Sequence, residues 1–276
     1  MDVSFSAEDM AFREEVRAFL DDAFDDELKA AMKKTRAGYM PKHLHVRWQK
    51  ALHKKGWATP HWPVEHGGCG WTPTQKYIYD AEMSAAGAPI VIPFGPRMLA
   101  PVLMKFGSDK QKSDFLPKIQ AADLIICQGY SEPGSGSDLA SVKMKCEDKG
   151  DHWLLNGSKI WTSVAQYADW IFCLVRTSNE GKRQEGISFI LIDMKSPGVT
   201  VDPIITMDMP EKDYQEVNQV FFEDVKVPKE NMIGEVNKGW TYAKYLLEFE
   251  RGGTYSQGLK RGMEKVRQIA SEEQEN

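Results

Sequence analysis

The amino-acid sequence predicts an α+β protein in which a helical segment, a β segment and a second helical segment follow one another. Apolar residues recur at helical spacing through residues 1–125. Across residues 126–235, short runs of β-branched and aromatic residues alternate with turn residues. Helical spacing returns over residues 236–276. A chain of 276 residues is long enough for two domains and part of a third, and we expect the domain boundaries at these positions.

The first segment opens with a helix start signal. Ser6 is the expected N-cap, acidic Glu8 and Asp9 follow in the first turn, and apolar residues continue at helical spacing to Leu20. The same spacing predicts helices around residues 48–52, 75–85 and 111–119. Residues 56–68 are dense in glycine, proline and aromatic residues and are predicted to form a loop, in which the histidines are structural.

The central segment is predicted to be a compact antiparallel β domain, because its apolar runs are short and rich in β-branched and aromatic residues. Asn156-Gly157 and residues 195–198 are predicted to be turns between strands. The candidate strands are residues 153–155, 170–175, 187–192, 199–201 and 219–222.

The last segment is predicted to be helical from about residue 238 to residue 273. Glycines lie inside it, and each costs about 1 kcal/mol in a helix interior relative to alanine. Close approach of a neighbouring helix or a ligand would compensate for them, and a break in the helix is the alternative. The glycines are Gly252, Gly253, Gly258 and Gly262.

Composition excludes several classes of protein. The net charge of −5 and the lack of a basic stripe argue against a nucleic-acid-binding protein. No N-terminal apolar stretch has the length of a signal peptide or a membrane span. The four cysteines form no Cys-x-x-Cys or Cys/His cluster, so we expect no metal site and no disulfide framework, as in a cytoplasmic protein.

Residues 127–143 are the most informative stretch. Pro133, Gly134 and Gly136 alternate with hydroxyl and acidic side chains directly after an apolar run. Glycine allows a ligand to approach the backbone closely, and exposed N–H groups and serine hydroxyls can bind a polar or anionic group. On these residues alone, ligand binding and an ordinary turn are equally open.

The order of residues in three blocks resembles the acyl-CoA dehydrogenase family. Residues 128–138 read Gln-Gly-Tyr-Ser-Glu-Pro-Gly-Ser-Gly-Ser-Asp and resemble that family's flavin and substrate loop. Residues 156–163, Asn-Gly-Ser-Lys-Ile-Trp-Thr-Ser, resemble its second flavin segment, and residues 221–234 fit a third block. The resemblance, which runs to about residue 270, implies an N-terminal helical bundle, a middle antiparallel β-barrel-like domain and the start of a C-terminal helical bundle.

Members of that family usually continue well beyond this point. The last segment here corresponds to the first helix of the C-terminal bundle, and such a helix alone would leave an apolar face uncovered. Either the chain is a fragment, or something else covers that face.

The resemblance implies an FAD-dependent acyl-CoA dehydrogenase that forms a 2,3-enoyl-CoA. No side chain accepts a hydride, so the flavin takes it. The resemblance assigns Gln128, Tyr130 and Ser131 to the isoalloxazine edge, through main-chain and hydroxyl contacts. It assigns Gly136 and Ser137 to the ribityl or phosphate region and to the CoA moiety of the substrate. A packing role for Tyr130 is equally open.

The second block contributes Trp161 and Ser163. By resemblance, Trp161 packs against the flavin ring and Ser163 lies near the hydride-accepting nitrogen. The family commonly has threonine at the latter position. Serine keeps the hydroxyl but lacks the methyl group that restricts the rotamers of threonine, so we expect a looser contact.

Glu250 is the candidate catalytic base. The reaction needs a carboxylate in a dry slot, where desolvation raises its pKa. Most of the family places this base later in the chain, but a minority has a glutamate on this helix, in a pair like Glu250-Arg251. Leu246, Leu247 and Phe249 are apolar neighbours that would exclude water. The alternative is a surface ion pair of Glu250 with lysine or arginine.

Arg251 and Glu248 are the remaining substrate candidates. By resemblance, Arg251 lies near the thioester, where arginine makes several directed hydrogen bonds. An ion pair between Arg251 and Glu248 is the alternative. Glu248 matches a family position that is often acidic and contacts substrate.

The resemblance also implies partners: an acyl-CoA substrate, an electron-transfer flavoprotein as acceptor, and other subunits of a homo- or hetero-oligomer. The loops look most like those of bacterial dehydrogenases for bulky or dicarboxylic acyl-CoAs. A truncated or non-catalytic partner subunit and an acyl-CoA oxidase are the alternative functions.

Overall fold

The computed structural model describes residues 4–35, 38–207, 209, 211–251 and 256–274. The N-terminal part is helical, as predicted, and a π-helical turn at Phe94–Leu99 leads directly into its fifth α-helix. The six helices are α1 (Ala7–Ala23), α2 (Asp26–Lys34), α3 (Lys42–Lys55), α4 (Pro73–Ala86), α5 (Ala100–Phe106) and α6 (Asp109–Gln120).

Local signals fix where these helices begin and end. The predicted N-cap at Ser6 is confirmed, since its hydroxyl accepts a hydrogen bond from the Asp9 N–H and the Asp9 carboxylate bonds back to Ser6. The same reciprocal capping starts α4 and α6. Gly56 and Gly87 end α3 and α4 in the left-handed conformation that favours glycine. Residues 56–68 are loop, as predicted, apart from one short 3₁₀ turn.

Among the described residues, the central part forms seven strands in one curled sheet, a half-barrel. All five predicted strand segments lie in it. The strands are β1 (Ile126–Gly129), β2 (Lys145–Asp148), β3 (His152–Ser163), β4 (Trp170–Arg176), β5 (Ile187–Asp193), β6 (Val199–Pro203) and β7 (Val217–Pro228).

The sheet order is β1-β4-β2-β3-β7-β6, and β5 also pairs with β4. Most pairings are antiparallel, as predicted, but β4 runs parallel to β1 and to β2. Parallel neighbours need a long connection, and long stretches of chain separate β4 from β1 and from β2. The sheet is therefore mixed rather than purely antiparallel.

The predicted turn at Asn156-Gly157 is wrong, because both residues lie inside β3. The pairing of β3 with β7 shifts register between Leu155 and Gly157, as at a β-bulge. Gly157 has a φ of +148°, and a Cβ there would lie 3.0 Å from the Met144 Cα. The Asn156 amide bonds the Asp224 carboxylate at 3.0 Å. Glycine at position 157 therefore allows both the β-bulge and the close approach of the Met144 backbone.

The last segment forms two helices, α7 (Gly239–Glu250) and α8 (Ser256–Gln274), so the alternative of a broken helix is the one observed. Gly252 and Gly253 lie outside the described residues. A Cβ on Gly262 would meet nothing within 4 Å, so no close approach explains that glycine. Helix α7 packs on β5, α5 and the π-helical turn.

Helix α8 lies beside α4, where the Arg261 guanidinium donates to the Ser84 carbonyl at 2.8 Å. An apolar row along α8 is exposed, as the sequence predicted for an incomplete bundle. The row comprises Leu259, Met263, Val266 and Ile269. Among the described helices, none has both the length and the apolar character to cross a membrane.

Candidate active site

The end of β1 and the end of α7 meet, although they are far apart in sequence. The Gln128 amide Nε2 donates to Glu250 Oε2 at 3.5 Å, the outer limit for a hydrogen bond, across 122 positions of the chain. Arg97 on the π-helical turn donates from Nε to the Phe249 carbonyl at 2.8 Å and so holds the last turn of α7. The structure thus brings two predicted site residues into contact.

Glu250 is half-buried, and in the described ranges it forms no ion pair with lysine or arginine. Glu248 and Arg251 are both exposed at the end of α7. No ion pair between them occurs in the part of the chain that the structure describes. Arg97 was missed by sequence analysis, since an arginine after Gly-Pro carries no recognisable signal.

The loop after β1 contains a tight reverse turn. Glu132 and Ser135 exchange two main-chain hydrogen bonds of 2.9 Å, which leaves Pro133 and Gly134 exposed at the tip. A Cβ on Gly134 or Gly136 would meet nothing within 4 Å. The chain's own packing therefore does not require glycine at either position, and the open space above the loop can admit a ligand.

Tyr130 is buried beneath this loop. Its ring packs edge-on against Phe172 and Phe189, with centroid distances of 5.8 and 6.3 Å. Burial, with a further effect of Glu250, raises the pKa of Tyr130 well above its ordinary value. Within the described residues its hydroxyl has no hydrogen-bond partner. The ring of Tyr130 therefore has a packing role in the core.

Trp161 is exposed to solvent, unlike Tyr130. Its side chain is 61% exposed, and its φ of +61° lies in the left-handed region, where a bulky residue is strained by about 1–3 kcal/mol. The pairing of β3 with β7 is irregular between Lys159 and Thr162. Ser163 follows, half-buried and paired with Val217. A strained backbone therefore presents a large aromatic ring to solvent at the end of β3.

A buried ion pair connects the two blocks. Lys159 Nζ lies 2.8 Å from Glu132 Oε1, and the lysine side chain is completely buried. The Ile160 N–H also donates to the Ser131 carbonyl at 2.9 Å. The sequence alone does not reveal this pair, because a lysine and a glutamate beside turns are ordinarily exposed to solvent.

These features fit a flavin. An exposed aromatic ring, open space over two glycines and half-buried serine hydroxyls at positions 131 and 163 suit a large planar group with a polar edge. No three His, Cys, Asp or Glu side chains of the described residues are grouped as a metal ion requires.

Two family models match the N-terminal helical part and most of the sheet, and they end before α7. The acyl-CoA dehydrogenase N-terminal domain matches residues 6–123, and the acyl-CoA dehydrogenase middle domain matches residues 127–225. This chain belongs to the acyl-CoA dehydrogenase family. The second match contains both loop blocks.

Individual relatives of the chain are acyl-CoA dehydrogenases as well. The chain is 37% identical to the acyl-CoA dehydrogenase IpdE1 of Mycobacterium tuberculosis over 244 residues, covering 87% of this chain and 62% of that protein. It is 34% identical to the acyl-CoA dehydrogenase FadE26 of the same organism, covering 91% of this chain and 62% of that protein. The chain therefore spans about three fifths of the length of these curated relatives.

Two solved structures share the fold. The structure of the ChsE4-ChsE5 complex from Mycobacterium tuberculosis matches 98% of this chain and 67% of its own, with a TM-score of 0.82 and 32% identity. The Tcur3481-Tcur3483 steroid ACAD matches 100% of this chain and 69% of its own, with a TM-score of 0.84 and 31% identity.

Proposed function

We propose that this chain carries the flavin-binding and proton-abstracting parts of an FAD-dependent acyl-CoA dehydrogenase, which oxidises an acyl-CoA to a 2,3-enoyl-CoA. The observation that carries the proposal is the contact between Gln128, at the start of the first family block, and Glu250 at the end of α7. It puts a carboxylate of the last segment beside the loop that the family uses for flavin.

In this proposal Glu250 removes the α-proton of the thioester. Its half-buried position limits hydration, the Gln128 amide orients one carboxylate oxygen, and Arg97 fixes the backbone one residue earlier. Because one contact holds the side chain of Glu250 and another holds the neighbouring backbone, the carboxylate has few unproductive orientations, which favours proton transfer.

The residues of the two blocks would hold the cofactor. When bound, the flavin supplies the hydride acceptor. Main-chain groups of residues 128–131 and the Ser163 hydroxyl would contact its polar edge, and Trp161 would cover its ring. Gly136 and Ser137, which are exposed, would approach the phosphates and the CoA moiety. Arg251 and Glu248 would contact the thioester end of the substrate from the end of α7.

We further propose a bulky acyl-CoA substrate, electron-transfer flavoprotein as electron acceptor, and a hetero-oligomeric assembly in the cytoplasm. Support for the first comes from the loop sequences and from a structural neighbour described as a steroid ACAD. Support for the assembly comes from the ChsE4-ChsE5 complex, which is built from two different chains.

Glu250→Gln tests the proposed base. Glutamine keeps the size of the side chain but cannot accept the α-proton, so flavin reduction by an acyl-CoA should slow by a factor of about 10² or more. FAD affinity should stay unchanged. Stopped-flow measurement of flavin bleaching under anaerobic conditions records the rate.

Glu223→Gln is the matched control, because Glu223 is an exposed glutamate on β7 to which no site role is assigned. It should reduce flavin at a rate close to that of the wild type. Normal bleaching in Glu250→Gln would show that another group removes the proton. Rapid reoxidation of the reduced flavin by air would favour an acyl-CoA oxidase.

A non-catalytic partner subunit is the second candidate, favoured by the exposed apolar row on α8. In that case the chain alone would bind FAD weakly, and a second polypeptide would complete the site. Titration of the purified chain with FAD separates the two functions.

A further inference from the structure

We propose that the buried Lys159–Glu132 ion pair positions both loop segments that would contact the flavin. Lys159 precedes Trp161 by two residues on β3, and Glu132 directly follows Ser131. The identity of the ligand rests on the proposed function, whereas the positioning rests on contacts within the chain.

Both charged groups are removed from water at a cost of several kcal/mol per ion. Lys159 is 0% exposed and the Glu132 side chain is 9% exposed. The three N–H groups of an ammonium all find acceptors here: Glu132 Oε1 at 2.8 Å, the Leu174 carbonyl at 2.7 Å and the Tyr130 carbonyl at 3.1 Å. A buried ion pair adds little net stability compared with apolar side chains of the same volume. Stability therefore does not explain the presence of this pair, whereas its effect on the positions of the two loop segments does.

Glu132 extends the connection to a third stretch of chain. Its Oε1 accepts from the Met144 N–H at 2.9 Å, and its Oε2 accepts from the Lys143 N–H at 2.6 Å. Its main chain closes the reverse turn with Ser135. One carboxylate thus fixes the base of the loop while the tip stays exposed.

Lys159 also polarises one peptide group of the loop. The carbonyl of Tyr130, which accepts from the ammonium, belongs to the same peptide as the N–H of Ser131. A hydrogen bond from a cation to a carbonyl strengthens the N–H of that peptide as a donor. In the described ranges no group accepts from this N–H, although the Ser131 carbonyl accepts from Ile160. Ser131 therefore offers a strengthened donor to a ligand with acceptor atoms along one edge, as a flavin has.

Lys159→Met tests the proposal because methionine fills similar space without charge. Hydrogen exchange of the flavin-free protein is measured first. The expected result is faster exchange at the amides of residues 135, 143, 144 and 160, which lie in three separate segments joined by the pair. Lys226→Met, at an exposed lysine on β7, is the matched control and should exchange like the wild type.

Val227→Ala is a second control, at a buried apolar position on the same strand. It should lower the melting temperature without selective exchange at those four amides. This separates loss of positioning from general destabilisation. If Lys159→Met does not fold, Glu132→Gln, which retains the side-chain size and one acceptor oxygen, takes its place in every measurement.

FAD binding is the second readout. FAD affinity, measured by quenching of flavin fluorescence, should fall by about tenfold or more in Lys159→Met, since a charge-assisted hydrogen bond that strengthens the Ser131 donor is lost. The visible circular dichroism of the bound flavin should change as well. Both should stay normal in the two controls.

Exchange rates and FAD affinity equal to those of the controls would overturn the proposal. If the wild type binds no FAD, the proposed function fails, and the exchange data alone then decide the positioning. Selective exchange would uphold the positioning in that case, and unchanged exchange would refute it.

Discussion

Trp161 combines two features that do not stabilise the chain. Its ring is mostly exposed, and its backbone has a positive φ. A structural tryptophan would be buried, as Trp153 is on the same strand. Backbone strain of this kind concentrates at binding sites. At the scale of single residues, the exposure and the positive φ of Trp161 are the observations that most support the proposed flavin site.

Trp161→Gly should weaken FAD binding without lowering the stability of the protein. Glycine relieves the positive φ, and little buried area is lost, so the free energy of unfolding should stay within about 1 kcal/mol of wild type or rise. FAD affinity should fall, because a stacking surface is removed. Denaturant unfolding and an FAD titration measure the two effects.

Trp153→Gly is the control for this pair. It should lower the free energy of unfolding by about 3–5 kcal/mol, since a buried indole is removed from the core. A large loss of stability in Trp161→Gly with unchanged FAD affinity would show that Trp161 is a structural residue.

At the scale of elements, His45 connects helix α3 to the chain before it. Its Nε2 accepts from the Met40 N–H at 2.7 Å in a buried environment. Burial lowers the pKa of His45 from its ordinary value of 6.5 to about 4. The folded protein therefore holds a neutral imidazole where the unfolded chain would bind a proton.

Stability should fall as the pH is lowered. Between pH 6.5 and about 4 the unfolded state binds a proton at His45 that the folded state does not. The free energy of unfolding should decline over this interval by on the order of 2–3 kcal/mol from this residue, and the loss should be complete below the folded-state pKa. Denaturant unfolding across that pH range measures the slope.

His45→Gln should flatten this dependence, because an amide oxygen can accept from Met40 without titrating. His43→Gln, at an exposed position two residues earlier on α3, should keep the wild-type slope. An identical slope in His45→Gln and the wild type would show that His45 does not sense pH.

Elements and site residues differ in how far the sequence predicts them. Helix starts such as Ser6 depend on local hydrogen bonds, and strands depend on short apolar runs, so both follow from sequence. Gly157 carries the same signal for a turn as for a bulge, and only the pairing with β7 decides between them. Lys159 and Arg97 act through partners far along the chain, which no local pattern reveals.

At the scale of the whole molecule, the chain contains two regions of an acyl-CoA dehydrogenase and two further helices. The apolar row on α8 is exposed, and an amphipathic helix of this kind is stable only where another surface covers its apolar face. In the candidate site, by contrast, Gln128, Glu250 and the base of the loop at Glu132 are held by contacts within this chain.

We propose that the groups of the candidate site suffice to hold a flavin beside Glu250. A visible spectrum of the purified chain tests this, recorded after addition of FAD and removal of unbound cofactor, and again after anaerobic addition of bulky and straight-chain acyl-CoAs. We expect a retained yellow chromophore that bleaches with one class of thioester. A protein that stays colourless after FAD is added would show that these groups do not hold a flavin.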